Sequence, residues 1–568
     1  MKAKRLLALS LIALAGTASL AGCGGRQLVE DEDETKTQLK IKYTNGGFGS
    51  VWLDKLCDEF VELYKDTSFQ PGRKGVQIIK DYDKRNVACE AIRGNENHVI
   101  IQEDTDYFTY LSKGTLKDIT DLVKDNAIKE DGTEETDRTI EDKMDATYKS
   151  YYNYGGKYYA IPLFETNVGL QYNVAVFEKK NLFFKQGATA ENFTEEDYAD
   201  LDKLYDLFVE DKDAARSYGP DGKTGKEGMM DYSIDDGLPA TYKDFRALLE
   251  MMKHSGVTPF IWNNTCTNYL TSLINDAWAT NQGPEEYLYN FKLEGTANNL
   301  VKINDGRIVR DANGKPVCEA VTVGKTNYAE LQRQVGKLEA LELAQTLVGD
   351  GNYYSKSWQT SYTDAQEYFV NPTKHKEIGD IGFIVEGGWW FQEAIGFNTF
   401  SPGTEKAAKF SPFILPKASA DKIGTPNVRV SDRRSLMFIN NYCPEENLEV
   451  ARKFMSYINS DHALETYTVY STGKRALDYD LTEEAYNNMS YYAKAAWNIN
   501  RHTNTITLPW LPLTDTAKEH VLELDYAGYG FATNAGEGNP VMYFNDMAKK
   551  GTPVTPEQYF INIYNFKK

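Results

Sequence analysis

Phe383 to Trp390 reads FIVEGGWW: an acid, two glycines and two adjacent tryptophans closing an apolar run, in a chain with eight tryptophans. A carboxylate accepts hydrogen bonds, a glycine lets the backbone approach another group closely, and an indole offers a flat apolar face with a single donor. That set suits non-covalent recognition. Residue sets for bond breaking are absent as local motifs: the six histidines, at 98, 254, 375, 462, 502 and 520, show no HExxH or other metal spacing, and no GxSxG nucleophile elbow occurs. With 83 acids, a glycosidase-type carboxylate pair stays open, because its separation is set in space and not along the chain. Gly219 to Gly228, GPDGKTGKEG, lacks the alternating oxygen ligands and closing acid of an EF-hand and reads as a solvated turn. Neither a metal nor a cofactor is expected.

Other candidates sit where strands should end. NGGFGS, with Asn45, Gly46, Gly47 and Phe48, comes after Leu39, Ile41 and Tyr43, which alternate with Lys40, Lys42 and Thr44 as in a strand. From Val51, apolar residues at Leu53, Leu56, Cys57, Phe60, Leu63 and Tyr64 have helical spacing. Gly75–Tyr82 is the next strand, Asp83 can cap a helix carrying Val87, Ala88, Ala91 and Ile92, and His98–Ile101 is a third strand running into Glu103 and Asp104. Strand, helix, strand, helix, strand with short connections predicts a parallel α/β sheet, whose ligands bind beyond the carboxyl ends of its strands. A second α/β region begins near Gly155–Asn173, where Glu165, Thr166 and Asn167 come after Pro162. Thr241–Gly256 reads as a capped helix, Thr258–Trp262 as a strand delivering Trp262, Asn263 and Asn264, Gly306–Thr322 as a hairpin turning at Asn313-Gly314, and Ala329–Gly351 as a long amphipathic helix. Leu182–Gly237 is acidic and turn-rich, a surface elaboration. Glu386, Arg433, Arg434 and Tyr470–Lys474 complete the candidates. Each competes with a plainer role as rim, turn or core.

The 568 residues, 41% hydrophobic and 26% charged, have a globular composition with room for two to four domains' worth of core. A net charge of -20 argues against nucleic acid as a partner. Lys2, Lys4 and Arg5 precede the apolar run Leu6–Leu20, the pattern of a secretory signal peptide, and no later segment is long and apolar enough to span a membrane. The run closes on Leu20-Ala21-Gly22-Cys23, which resembles a bacterial lipobox; the resemblance implies cleavage before Cys23 and its acylation. The acidic stretch after Cys23 reads as a tether. Cys57, Cys89, Cys266, Cys318 and Cys443 show no CxxC pair and read mostly as small buried hydrophobes.

Several segments, in order, resemble the extracellular solute-binding proteins of bacterial ABC importers, the large carbohydrate-binding lipoprotein family 1. They are the lipobox, LKIKYTNGGFGSVWLDKLCDEF, KGTLKDITDLV (Lys113–Val123), GKYYAIPLFETNVGLQYN, DIGFIVEGGWW, FSPFILPK (Phe410–Lys417), ARKFMSYINS (Ala451–Ser460) and STGKRAL (Ser471–Leu477). The resemblance implies a two-lobed α/β fold of the type II periplasmic-binding-protein kind with a ligand cleft between the lobes. It implies residues 1–22 as signal peptide, 23–38 as acylated cysteine and tether, 39–158 as lobe 1 with a returning segment at about 418–445, and 159–417 as lobe 2 with 446–568 packing on it and across the hinge. The implied function is capture of a carbohydrate, an oligosaccharide, without catalysis, and its delivery to ABC permease subunits by a monomer lipid-anchored on the outer face of a bacterial membrane. A secreted glycoside hydrolase, or a surface lipoprotein for a non-sugar solute, is the alternative. A sugar has polar edges and an apolar C–H face, so its site needs flat aromatic rings beside acids and amides. Adjacent residues point in different directions, so one of Trp389 and Trp390 is expected to stack on the ligand and the other to pack inward. Asn45, Gly46, Gly47, Phe48, Glu103, Asp104, Glu165, Asn167, Trp262, Asn263, Glu386 and Arg433 are the other expected ligand contacts.

Overall fold

The computed structural model describes residues 32–103, 105–211, 213–228, 230–431, 435–509, 511–517, 530–531 and 538–568. The leader, Cys23 with its acylation, Asp104, Arg433 and Arg434 lie outside the described residues. From the amino terminus the chain runs through β1 (Thr37–Thr44), α1 (Val51–Leu63), β2 (Val76–Asp83) and β3 (Val99–Glu103), and passes by way of β4 (Phe164–Glu165) into a second body. There it forms β5 (Val168–Asn173), α2 (Tyr242–His254), β6 (Val257–Ile261), α3 (Asn268–Gln282), β7 (Asp380–Gly387), α4 (Trp390–Gly396) and β8 (Phe410–Pro412). It returns along β9 (Asn427–Ser431) to β10 (Ser435–Ile439), α5 (Glu445–Tyr457) and α6 (Asp461–Ser471). A third crossing carries β11 (Lys474–Arg475), α7 (Tyr491–His502) and β12 (Thr505–Pro509).

Each lobe is built on its own sheet. In lobe 1 the order is β2-β1-β3-β10: β1 is parallel to β2 and β3, and β10 returns antiparallel to β3. In lobe 2 the order is β6-β7-β5-β8, with β6 and β7 parallel and β5 antiparallel to β7. The crossings pair with one another, β4 with β11 and β9 with β12, and so form the hinge. Helix α2 begins as its sequence dictates, with a Thr241–Asp244 capping box. Among the described residues, no helix is long and apolar enough to cross a membrane.

Several expectations change in three dimensions. In β1, Gln38, Lys42 and Thr44 are buried along with Leu39, Ile41 and Tyr43, and Lys40 is partly exposed, because a central parallel strand is covered on both sides. The helix expected after Asp83 is a short 3-10 turn, Cys89–Gly94: the Val87 amide donates to the Gln102 side chain at 3.1 Å, tying the segment to the end of β3 instead of letting it coil. The 306–322 hairpin does turn at Asp311–Lys315, but Cys318–Val323 pairs with Gly295–Val301. The long helix after Ala329 is split into a 3-10 turn, Tyr328–Arg333, and an α-helix, Val335–Leu347. Helices α5 and α6 pack on lobe 1, α5 against β1 and α6 against α1, so residues 446–471 belong with the first lobe and not the second. Asn447 donates to the Gln38 carbonyl at 2.7 Å and Gln70 to the Glu446 carbonyl at 2.9 Å, fastening that return. Cys57, Cys89 and Cys443 are buried thiols, and Cys266 and Cys318 are partly covered.

Candidate functional site

A narrow cleft, with about 40 Å³ of space open to water, lies where the crossings meet lobe 2. Its floor is the paired hinge. The register of β4 and β11 sets Glu165 opposite Lys474, and the ammonium meets the carboxylate at 2.7 Å. Burial pulls the Lys474 ammonium down, but the Glu165 carboxylate more than restores it, and its pKa stands above the ordinary value. Next along, the Arg475 guanidinium is wholly buried and donates to the Leu163 carbonyl at 2.6 Å, the Ile458 carbonyl at 3.0 Å and Asn459 Oδ1 at 2.7 Å. Burial lowers its pKa to about 10. It locks the crossing in place and presents nothing to the cleft.

Asn167 and Asp276 form the next layer. Asn167 Nδ2 donates to Asp276 Oδ2 at 3.0 Å, and Asp276 Oδ1 accepts the Val430 amide at 2.7 Å, so an acid on α3 ties β9 to the start of β5. Burial lowers the Arg429 pKa, against which Asp276 acts as counter-charge, and Arg429 Nη1 donates to Asn500 Oδ1 at 3.2 Å. Gln171 bridges: its Nε2 donates to the Glu386 carbonyl at 3.3 Å and its Oε1 accepts from the Tyr492 hydroxyl at 3.1 Å.

One wall of the cleft is a single face of α7. Ser490 caps the helix by accepting the Ala493 amide at 3.1 Å. Tyr492, Ala493, Ala496, Trp497 and Asn500 then line the cleft at helical spacing, two small residues making room between two aromatic ones. An adjoining pocket of about 20 Å³ shares Asn167, Gln171, Pro412 and Arg429, extending the space towards Asp276 and Thr280. The whole offers amides, hydroxyls, a paired acid and base, a buried guanidinium and aromatic faces.

Of the residues singled out in the sequence, Glu165, Asn167 and Phe48 line this cleft, with Thr166 between the first two, and so do Gly388 of the FIVEGGWW turn and Thr472, Gly473 and Lys474 of the Tyr470–Lys474 stretch. Asn45, Gly46 and Gly47 serve the loop itself: Asn45 Oδ1 accepts the Gly47 amide at 3.1 Å and the Gly49 amide at 3.0 Å, and the Gly46 amide donates to Glu103 Oε1 at 3.1 Å. Gly47 has φ +116°, and a β-carbon there would lie 2.6 Å from Trp389 Cδ1, so the loop is shaped by contact with lobe 2. Trp262 is buried inside lobe 2 between Tyr353 and Trp358, and Asn263 Oδ1 accepts the Cys266 amide at 2.7 Å. Glu386 lies buried in β7.

Both tryptophans of the GGWW turn are buried, which departs from the expectation that one stacks on a ligand. Trp389, at the N-cap of α4, packs edge-on to Phe48 of lobe 1 and Tyr269 of lobe 2. Trp390 points the other way, into Phe369, Phe410 and Tyr492. The two directions do diverge, but each leads into apolar neighbours. Sequence reasoning missed Gln171, Arg429, Asn500 and Trp497 and ranked Lys474 low. The amphipathic run YYAKAAWNIN, with alanines beside a tryptophan, was the available signal for α7.

Two α/β lobes joined by three crossings, with the cleft at the hinge, define the class: a two-lobed binding-protein fold. Among solved structures, a chitin oligosaccharide binding protein is similar at a TM-score of 0.50 and 12% identity, over 94% of this chain and 98% of its own. The apo form of RafE from Streptococcus pneumoniae aligns at 0.49 and 14% identity, over 95% and 100% of the two chains. Maltose-bound T. maritima MalE3 aligns at 0.47 and 15%, over 94% and 99%. No family model and no curated protein matches the chain. The first likeness is one of fold, and it agrees with the family resemblance carried by the sequence motifs.

Proposed function

We propose that this protein is a solute receptor that captures a carbohydrate between its lobes and hands it to the permease of an ABC importer, acting as a monomer anchored by a lipid on Cys23 at the outer face of a bacterial membrane. The observation that carries the reading is the interlobe cleft, where Asn167, Gln171, Arg429 and Asn500 stand beside Trp497 and the Glu165–Lys474 pair. Amides and a guanidinium suit hydroxyls, an indole suits a C–H face, and a ligand touching both lobes favours the closed arrangement. The chitin oligosaccharide binding protein of like fold and the lipobox-like leader support the same reading. Capture is favoured over hydrolysis because the acids at hand are engaged, Glu165 by Lys474 and Asp276 by Asn167 and the Val430 amide.

The test is tryptophan fluorescence of the purified protein titrated with mono- and oligosaccharides, each ligand then recovered and chromatographed. A saturable change with intact sugar, lost in Trp497→Phe and kept in Trp389→Phe, supports the reading. Cleaved sugar points to a hydrolase, and silence toward every sugar removes carbohydrate from the reading.

A further inference from the structure

The loop Gly219–Gly228 is a solvated turn at its tip, where residues 222–228 are exposed, but not at its root. Asp221 is 4% exposed, and Asp235, from the same acidic insertion, is wholly buried. Gly219 brings the two together: at φ +60° the chain runs so close that a β-carbon there would lie 2.3 Å from the Asp235 carbonyl oxygen. The Asp221 amide then donates to Asp235 Oδ2 at 3.0 Å, and the Lys223 amide to Asp221 Oδ1 at 2.8 Å. Each carboxylate thus engages one oxygen and keeps the other. Asp235 Oδ1 and Asp221 Oδ2 are cut off from solvent and accept no hydrogen bond, as is Asp236 Oδ1 next in the chain. Ser217, whose carbonyl accepts the Gly237 amide at 2.8 Å, likewise has a buried hydroxyl without a partner.

Burial raises the pKa of both carboxyls of the pair, that of Asp221 to about 6, and they stand within hydrogen-bond reach of each other. The cations whose charge acts on them are bound elsewhere. Lys417 gives its ammonium to the Pro426 carbonyl at 3.1 Å and to Asn427 Oδ1 at 2.9 Å, and the Lys223 ammonium lies 4.5 Å over the Tyr232 ring. A buried carboxylate needs a counter-charge or a proton. Residues 217–237 contain no histidine or cysteine, so what they offer a counter-ion is carboxylate, hydroxyl and carbonyl oxygen, the donor set of a hard cation. Among the described residues no three acids, histidines or cysteines group as a metal site. The carboxylate ligands therefore number two, Asp236 adds charge, and carbonyl and water oxygens must fill the shell. Ca2+ tolerates such an irregular shell, whereas Mg2+ demands a near-ideal octahedron. The loop also lies on the returning crossing: the Gly424 amide donates to the Pro220 carbonyl at 3.1 Å, shortly before β9 carries Arg429 to the cleft.

We propose that the Asp221 and Asp235 carboxylates hold a calcium ion at the root of this loop, where the Leu182–Gly237 insertion meets the crossing into β9. The inference is independent of the carbohydrate reading. Calorimetric titration of the EDTA-treated protein with CaCl2 and with MgCl2 at about pH 7.5, alongside urea unfolding, tests it. Two carboxylates predict one site with a dissociation constant on the order of 10⁻⁴ M for Ca2+ and about tenfold weaker binding of Mg2+. About 10 mM Ca2+ then multiplies the folding constant roughly a hundredfold, read as a higher urea midpoint. Asp235→Asn abolishes the heat and the shift, and because it removes a buried charge, its EDTA-treated form unfolds at a urea midpoint no lower than that of the wild type. Asp221→Asn does the same, so the test does not hang on one variant that folds poorly. Ca2+ binding undiminished in both variants, Mg2+ bound as tightly as Ca2+, or no heat and no midpoint shift with Ca2+ overturns the inference. In the last case, a midpoint that falls as pH rises towards about 6 shows that a shared proton holds the pair.

Discussion

On one side of the interface between the lobes, Phe48 of lobe 1 packs on Trp389, Phe164 and Tyr467, and Gly47 lies so close to Trp389 that no β-carbon fits. On the other side, Glu165, Asn167, Gln171, Arg429 and Asn500 surround open space against α7. The first side is apolar and sealed, the second polar and hollow. Shape complementarity between lobes needs only area and small residues, whereas reading a solute needs hydrogen-bonding groups held with capacity to spare. Gly47, Phe48 and Trp389, which look like a binding motif in the sequence, therefore serve the lobe contact, and most of the groups that can meet a ligand come from the hinge and a late helix.

Breaking the sealed side deepest in its core should have the largest effect. Trp389→Ala should destabilise folding by about 3–5 kcal/mol, read as a lower urea midpoint, with the ligand affinity of the folded fraction unchanged; an affinity loss with stability intact would erase the distinction between the two sides. Acid should then weaken folding through a group remote from the cleft. Burial, with Lys40 nearby, holds the His98 imidazole down to about 4, and its Nδ1 accepts the Lys40 amide at 3.3 Å. A depressed folded pKa means the stability is present above the unfolded value of about 6.5 and is lost as pH falls towards about 4, up to about 3 kcal/mol. Unfolding of the wild type should therefore be more acid-sensitive over that window than unfolding of His98→Gln.

Gly47→Ala sharpens the comparison at the lobe contact. A side chain at φ +116° facing Trp389 should disfavour the observed contact by about 2 kcal/mol. The expected readout is a larger radius in small-angle scattering and weaker binding without a comparable fall in the unfolding midpoint. Asn500→Ala should lower ligand affinity by about fivefold to tenfold, with only a small fall in the urea midpoint from the Arg429 guanidinium that loses this acceptor. An unfolding shift in that variant, with affinity intact, would make Asn500 a structural partner of Arg429 and nothing more.

Local patterns were legible where neighbours along the chain decide them. The alternation of Leu39, Ile41 and Tyr43, the helical spacing after Val51 and the cap at Thr241 all appear as elements at those places. Glu165 and Asn167 were legible too, because a proline-led crossing between lobes delivers its next few residues to the hinge. Lys474 was hard to rank because its partner Glu165 is 309 residues away, and Arg429 finds Asn500 across 71. No window of sequence contains such a pair.

By itself the sequence determined the α/β character and the places of β1, α1, β2 and β3, because periodicity and capping are properties of a few consecutive residues. Only the tertiary structure decided that Trp389 and Trp390 are packed and that Trp497 lines the cleft. An indole suits a core and a binding surface equally well, and which it joins depends on what the rest of the chain brings against its face.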